Sequence, residues 1–286
     1  MPRILIFNGA PEAAQKRIAL EGGRSNEAIF TDAIKLHEQP GRPLDFFTLN
    51  VADGEQLPQG MALRDFDGVW ISGSPLNAYH MHEPAVRVQV ELAREIWDLG
   101  IPSFGSCWGL QVMTAALGGT VHLNPRGREI GVARTIILSD AGRAHAMYRD
   151  KPTAFDALCT HEDEVALLPS CGTVLASNRV SRVQAAVFTD GSRSFWGVQY
   201  HPEHEFALLA AIIASRSERF IREGLSRSRE SAMAIVEDFR TLGIDPARKD
   251  LAWAYGVGED ILDPRLRTLE FRNWLNAKVA HRAQQR

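Results

Sequence analysis

The stretch Ile101-Pro-Ser-Phe-Gly-Ser-Cys-Trp-Gly-Leu-Gln111 constrains the fold more than any other part of the chain. A short apolar run ends in Gly105-Ser106-Cys107-Trp108-Gly109 and passes directly into Leu110–Leu117, which reads as a helix stopped by Gly118-Gly119. A strand that turns straight into a helix holds its corner residue at strained backbone angles and brings the helix close against the strand. The glycines flanking Cys107 permit both. Such a corner lifts one side chain clear of the sheet, and here that side chain is Cys107. A thiol at a helix N-terminus ionises more easily, the thiolate is the nucleophile, and the first helical amides point at whatever it attacks. The alternative for Cys107 is a small buried hydrophobe, the usual fate of a lone cysteine.

The sequence around this corner alternates between strand-like and helix-like runs. Arg3–Phe7 reads as a buried strand with Asn8-Gly9 turning out of it, followed by a helix around Ser25–Leu36 capped by Ser25 or Asn26. Leu44–Leu49 and Phe66–Ser72 are further strands, the latter halting at Gly73-Ser74-Pro75. Pro84–Leu99 carries Val86, Val90, Ala93, Ile96 and Trp97 at helical spacing and ends at Gly100. Alternation of this kind predicts a doubly wound, parallel α/β sheet. From Gly131 to Leu175 the pattern changes to short β-like runs (Ala133–Leu138, Glu164–Leu168, Thr173–Ala176) without helices between them. Val183–Phe188 and Ser194–Tyr200 then face each other across a Thr-Asp-Gly-Ser turn as a hairpin. These read as antiparallel strands added to the edge of the parallel sheet.

Beyond residue 220 the chain reads as helices. Ser226–Leu242 has Gly243 as its stop, Asp245-Pro246 and Asp263-Pro264 each start a helix, and the last carries Leu266, Leu269, Leu275 and Val279 beside Trp274. The expected organisation is a catalytic domain over residues 1–220 and a helical extension over 221–286. This extension would cover the site, shape a substrate pocket or form a homodimer contact.

Composition excludes several function classes. With 286 residues, 45% hydrophobic and 23% charged, the chain has the make-up of an ordinary globular protein. A net charge of −3 without a Lys/Arg block offers no footprint for nucleic acid. The apolar run at the start is too short for a signal peptide, and no later run reaches membrane-span length. Three cysteines, Cys107, Cys159 and Cys171, without a CxxC pair argue against a disulfide framework or a cysteine zinc site. A cytoplasmic enzyme with no nucleic-acid or membrane partner is expected.

Phe195-Trp-Gly-Val-Gln-Tyr200 delivers His201-Pro202-Glu203, so three predicted strands end in chemically capable groups: Gly73-Ser74, Cys107, and His201 with Glu203. The working crevice of an open α/β sheet lies outside the C-terminal ends of its strands, where these groups would converge. Residues two apart in an extended segment point to the same side, and Pro202 stiffens the link, so Glu203 could fix the tautomer of His201. Cysteine, histidine and glutamate together form an arrangement for attacking a carbonyl carbon, with backbone donors at Trp108 and near Gly73 for the oxyanion. Two rival readings exist. An α/β-hydrolase elbow also has the G-x-C-x-G form, but its acid precedes its histidine, which would require Asp163 rather than Glu203. A metal held by His201 and His204 lacks a clear third ligand.

These motifs resemble those of the class I glutamine amidotransferases, the triad family with a cysteine nucleophile. Phe104-Gly-Ser-Cys-Trp-Gly-Leu-Gln111 is similar to their G-x-C-x-G-x-Q motif, and Gly197-Val-Gln-Tyr-His-Pro-Glu203 to their G-V-Q-[FY]-H-P-E motif. Ile71-Ser-Gly-Ser-Pro75 resembles their oxyanion strand and Arg128-Glu-Ile-Gly131 the following loop. Thr160-His-Glu-Asp-Glu-Val165, Leu168-Pro and Val174-Leu-Ala-Ser177 resemble segments of the GMP synthetase type, and the likeness spans residues 1 to about 220. Ser106 stands where an aliphatic residue is common, and Gly73-Ser74-Pro75 where Gly-Gly-Pro is commoner.

The resemblance implies a flavodoxin-like fold and hydrolysis of a γ-glutamyl amide without a cofactor or metal. It makes Cys107 the nucleophile, His201 the proton shuttle and Glu203 its orienting acid. Gly73, Ser74 and Trp108 would serve the oxyanion, and Gln111 the glutamyl amino and carboxylate groups. After residue 220 too few residues remain for a synthetase domain, and no S-G-G-x-D-S stretch appears. Three readings follow: a free-standing γ-glutamyl hydrolase, a glutaminase subunit that feeds a separate synthetase partner, or a non-catalytic binding module. In the loops Ala10–Ser25 and Leu76–His82, where the leaving amine would be selected, Arg17, Arg24, Tyr79 and His80 are polar enough to take part, although each reads more readily as ordinary surface.

Overall fold

A computed structural model describes residues 1–285. In chain order the first half runs β1 (Arg3–Asn8), α1 (Glu12–Leu20), α2 (Asn26–Lys35), β2 (Asp45–Asn50), β3 (Gly68–Ile71), α3 (Pro84–Asp98), β4 (Ser103–Ser106), α4 (Trp108–Ala116), β5 (Thr120–Leu123) and β6 (Glu129–Leu138). It continues with α5 (Asp140–Ala144), β7 (Ala154–His161), β8 (Asp163–Leu167), β9 (Gly172–Ser177), β10 (Ala185–Asp190), β11 (Arg193–Val198) and α6 (Phe206–Ser215). The chain ends in α7 (Ser217–Arg222), α8 (Arg229–Ile244), α9 (Lys249–Ala254), α10 (Glu259–Leu262), α11 (Pro264–Arg267), α12 (Leu269–Trp274), a π-helical turn (Leu275–Val279) and α13 (Ala280–Gln285).

Nine strands form one sheet in the order β2-β1-β3-β4-β11-β10-β9-β6-β7. The first five are parallel, and their 2-1-3-4-5 sequence is the flavodoxin-like order. The remaining four continue the sheet antiparallel, starting with the expected hairpin, in which Phe188 pairs with Phe195. The mostly parallel sheet with added antiparallel strands is therefore the observed architecture.

Alternate residues of the central strands feed two cores. Leu5, Phe7, Val69, Ile71 and Phe195 join Val86, Val90, Ile96 and Trp97 of α3 and Trp108, Leu110 and Met113 of α4 on one face. Ile4, Ile6, Trp70, Phe104 and Trp196 face the opposite way, toward Phe30 of α2 and Phe271 and Trp274 of α12. Phe30 stacks on Trp70 at 4.1 Å between centroids, and Phe271 sits edge-on to Phe104 at 5.0 Å. The C-terminal helices thus share with α2 the covering of this face of the sheet.

Several elements differ from expectation. Strands β5 and β7 and helices α1 and α5 had no clear sequence signal; the β7 segment, Ala-Phe-Asp-Ala-Leu-Cys-Thr-His, is poor in β-branched residues and is held by pairing along β6. Gly243 does not stop α8, which runs on to Ile244. Its missing side chain instead lets α8 lie against α6, since a Cβ there would sit 3.1 Å from the Ala207 amide nitrogen. Asp245-Pro246 starts no helix, because Asp245 accepts from the Ala247 amide in a turn and α9 begins at Lys249. Asp263 does cap α11, accepting from the Arg265 amide at 2.7 Å with Pro264 at the first position.

Candidate active site

Strands β3, β4 and β11 are adjacent and parallel, so their C-terminal ends deliver Gly73, Cys107 and His201 to one crevice. Cys107 has φ 52° and ψ −100°, a left-handed conformation that a non-glycine residue adopts only under constraint. The flanking glycines are required by close approach: a Cβ on Gly105 would lie 2.5 Å from the Gly109 carbonyl carbon, and one on Gly109 the same distance from Ile71 O. The Cys107 amide donates to Val198 O at 2.7 Å, tying the corner to the strand that leads to His201. Trp108 is the first residue of α4, where backbone amides lack an intrahelical acceptor.

His201 is buried and its Nδ1 lies 2.7 Å from Glu203 Oε1. The other carboxylate oxygen of Glu203 accepts from Ser106 Oγ at 2.9 Å, and Ser106 in turn accepts from Trp70 Nε1 at 3.3 Å. Ser106, the residue next to Cys107, therefore braces Glu203. Burial opposes a charge on His201, but the Glu203 carboxylate and the neighbouring Cys107 outweigh it and push its pKa up to about 10. Gly73 abuts the ring, for a Cβ there would meet His201 Cε1 at 2.6 Å. Behind it, His204 stacks on His201 with centroids 3.6 Å apart and planes 5° from parallel. Burial, and then repulsion from His201, holds His204 well below the usual histidine range.

The rival readings fare differently. Asp163 accepts from Asn77 Nδ2 and Tyr79 Oη, and Glu203, which follows the histidine in the chain, is the carboxylate that contacts His201. His201, Glu203 and His204 offer three buried ligand atoms within 4.8 Å of one another, the third ligand that sequence had not supplied. The two rings, however, lie face to face, so their in-plane lone pairs run side by side rather than converging, and His201 Nδ1 is committed to Glu203.

Two cavities meet at Cys107. The larger, about 70 Å³, contains His201 and is walled by Ala14, Ile18, Leu208 and Ile212. The smaller, about 40 Å³, contains Gln111, Asp163 and three arginines, Arg128, Arg216 and Arg219. Ser74, Thr160 and Arg216 border both. Gln111 is held by its amide nitrogen donating to Gln199 Oε1 at 3.2 Å. Of the loop residues expected near the leaving amine, Arg24 borders the larger cavity, paired with Asp32 and Glu205. Tyr79 reaches Asp163 instead, His80 pairs with Glu83, and Arg17 borders neither cavity. Sequence reasoning missed Arg216, which sits between two ordinary-looking helices with no motif around it.

A family model for class-I glutamine amidotransferases matches residues 41–209. The chain belongs to that family. The chain is 29% identical to a γ-glutamyl-L-1-hydroxyisopropylamide hydrolase from a Pseudomonas species, over 97% of its own length and 93% of the relative's. It is 32% identical to the glutamine-hydrolysing GMP synthase of Nitrosomonas eutropha over 54% of its own length, but spans only 29% of that protein. The solved structure of a glutamine amidotransferase from Methylobacillus flagellatus shares its fold with a TM-score of 0.63 at 18% identity, covering 97% of this chain and 95% of the other.

Proposed function

We propose that this protein is a free-standing hydrolase of γ-glutamyl amides whose leaving group is a small amine. Cys107 Sγ attacks the γ-carbonyl carbon as His201 takes the thiol proton, and the Gly73 and Trp108 amides hold the oxyanion, with Ser74 beside them. Protonated His201, oriented by Glu203, gives that proton to the amine as the C–N bond breaks, leaving a γ-glutamyl thioester. Water attacks the thioester with His201 as base, and glutamate leaves. No cofactor or metal takes part in this scheme.

One observation carries the choice of leaving group. The amine must lie within reach of His201, which borders the larger of the two cavities only, and apolar side chains of α1 and α6 form one wall of that cavity, beside polar Gln15, Arg24, Asn26 and Arg216. Ammonia from glutamine would not touch that apolar wall, whereas a short alkyl chain would. The size, about 70 Å³ against the roughly 300 Å³ or more of a drug-sized cleft, suits a small amine rather than a long peptide. The likeness to the Pseudomonas hydrolase along nearly the full chain supports the same reading. A second reading, a glutaminase subunit serving a separate synthetase, is favoured by the likeness to the glutamine-hydrolysing GMP synthases.

Hydrolysis of glutamine, γ-glutamyl-anilides, γ-glutamyl-alkylamides and γ-glutamyl dipeptides by the isolated protein separates the two, with Cys107→Ala as blank. The expected result is turnover of alkylamides at least about tenfold above glutamine, an advantage of one to two buried methylenes. Weak cleavage of glutamine with silence on every conjugate would instead select the glutaminase subunit.

A further inference from the structure

The smaller cavity beside Cys107 is bordered by an arginine that the catalytic scheme does not use and that no carboxylate contacts among the described residues. Glu162 contacts both Arg128 and Arg219, and Glu223 also bridges them, at 2.7 Å from Arg128 Nε and 2.6 Å from Arg219 Nε. Two cations and two anions thereby form a closed square. Arg216 borders the same cavity and makes no side-chain ion pair or hydrogen bond among the described residues. Burial, with repulsion from Arg128 and Arg219, pushes its pKa down, so the surroundings penalise its charge. A half-buried guanidinium without a counter-ion at the edge of a reaction cavity is a site for an anion.

We infer that Arg216 anchors the α-carboxylate of the γ-glutamyl group, an inference that rests on hydrolysis of γ-glutamyl amides at Cys107. The γ-glutamyl head is a zwitterion whose carboxylate carbon is only four bonds from the carbon that Sγ attacks, so its anchor must border the cavity that holds Sγ. Arg216 does so. The opposite charge is also present there: the Asp163 carboxylate, held by Asn77 and Tyr79, is available to the α-ammonium group. The leaving amine, by contrast, belongs on the His201 side, where Ala14, Ile18, Leu208 and Ile212 form an apolar wall. Because Arg216 also borders that side, a carboxylate on the leaving group is the competing source of the same chemistry.

Steady-state kinetics of wild type, Arg216→Gln and Arg216→Lys on three probes decide between them: γ-glutamyl-isopropylamide, the same compound with its α-carboxylate converted to a carboxamide, and γ-glutamylglycine. Loss of a charge-assisted contact made throughout the reaction raises KM about 10- to 100-fold with kcat little changed. Arg216→Gln is expected to show that rise on the isopropylamide, with Arg216→Lys in between. Wild type is expected to disfavour the carboxamide analogue, and Arg216→Gln to lose that discrimination. Since an unpartnered charge is being removed, Arg216→Gln should unfold at the same temperature as wild type or above it. Unchanged discrimination in Arg216→Gln would overturn the inference, as would a penalty confined to γ-glutamylglycine, which would assign Arg216 to the leaving group. A wild type inactive on the isopropylamide and on γ-glutamylglycine would be the separate failure of the hydrolase reading.

Discussion

Glu203 makes His201 a strong base by geometry that spans the fold. One of its oxygens holds the imidazole and the other is braced by Ser106, 97 residues earlier in the chain. A folded-state pKa raised from 6.5 to about 10 contributes stability that is fully present below about pH 6.5 and is lost as pH rises through about 10. Glu203→Gln removes the anion and leaves burial to dominate, so the imidazole should titrate near or below 6.5 by NMR. The stability gap between wild type and Glu203→Gln should be widest at pH 6.5 and below and narrow toward pH 10; a gap independent of pH would contradict this assignment. The positions of Cys107, His201 and Glu203 were legible in sequence because each is set by local backbone chemistry: a glycine-flanked corner, and a proline between two residues on one side of an extended segment. Ser106 looked only like a departure from the family pattern, because its acceptor is distant in sequence. Arg216 had no signal at all, since being unpaired depends on where every neighbouring carboxylate lies.

Helix α12 does more at the element scale than its six residues suggest. It carries Glu270 into the core, where one carboxylate oxygen lies 2.5 Å from Lys151 Nζ and accepts from Tyr200 at 2.6 Å. Both members of the ion pair are buried, and burial pulls the Lys151 pKa down despite the favourable carboxylate. Tyr200 immediately precedes His201, so α12 steadies the strand end that presents that imidazole. Removing one partner of a buried pair leaves the other charge uncompensated, at a cost of about 3–5 kcal/mol. Glu270→Gln should therefore lose about that much stability in urea unfolding, while Lys151→Met combined with Glu270→Met should recover most of it. Equal losses in the single and double variants would show that the pair has no such coupling. A helix here was predictable from the spacing of Leu266, Leu269, Leu275 and Val279. Its partner strand was not, because periodicity identifies an apolar face without saying which apolar surface it meets.

At the scale of the whole molecule, the C-terminal helices and the sheet share one core, with Phe271, Trp274 and Val279 buried beside Phe30, Trp70 and Phe104. Truncating a buried Phe or Trp to alanine costs about 3–5 kcal/mol each, and a whole domain is stabilised by only about 5–15 kcal/mol. Deleting residues 263–286 should therefore abolish cooperative unfolding and expose dye-binding apolar surface; a truncated chain that still unfolds cooperatively and turns over substrate would refute this shared core. The sequence by itself determined the parallel α/β order and the strand ends at which Cys107, His201 and Glu203 sit. All of these follow from short-range rules about which backbone conformations a few residues can adopt. Only the tertiary structure decided that the last helices help cover the sheet, that Ser106 braces Glu203, that α1 and α6 bring an apolar wall to the His201 side, and that one arginine at the site has no side-chain partner among the described residues. Those outcomes depend on which surfaces and charges, far apart along the chain, neutralise one another once packed.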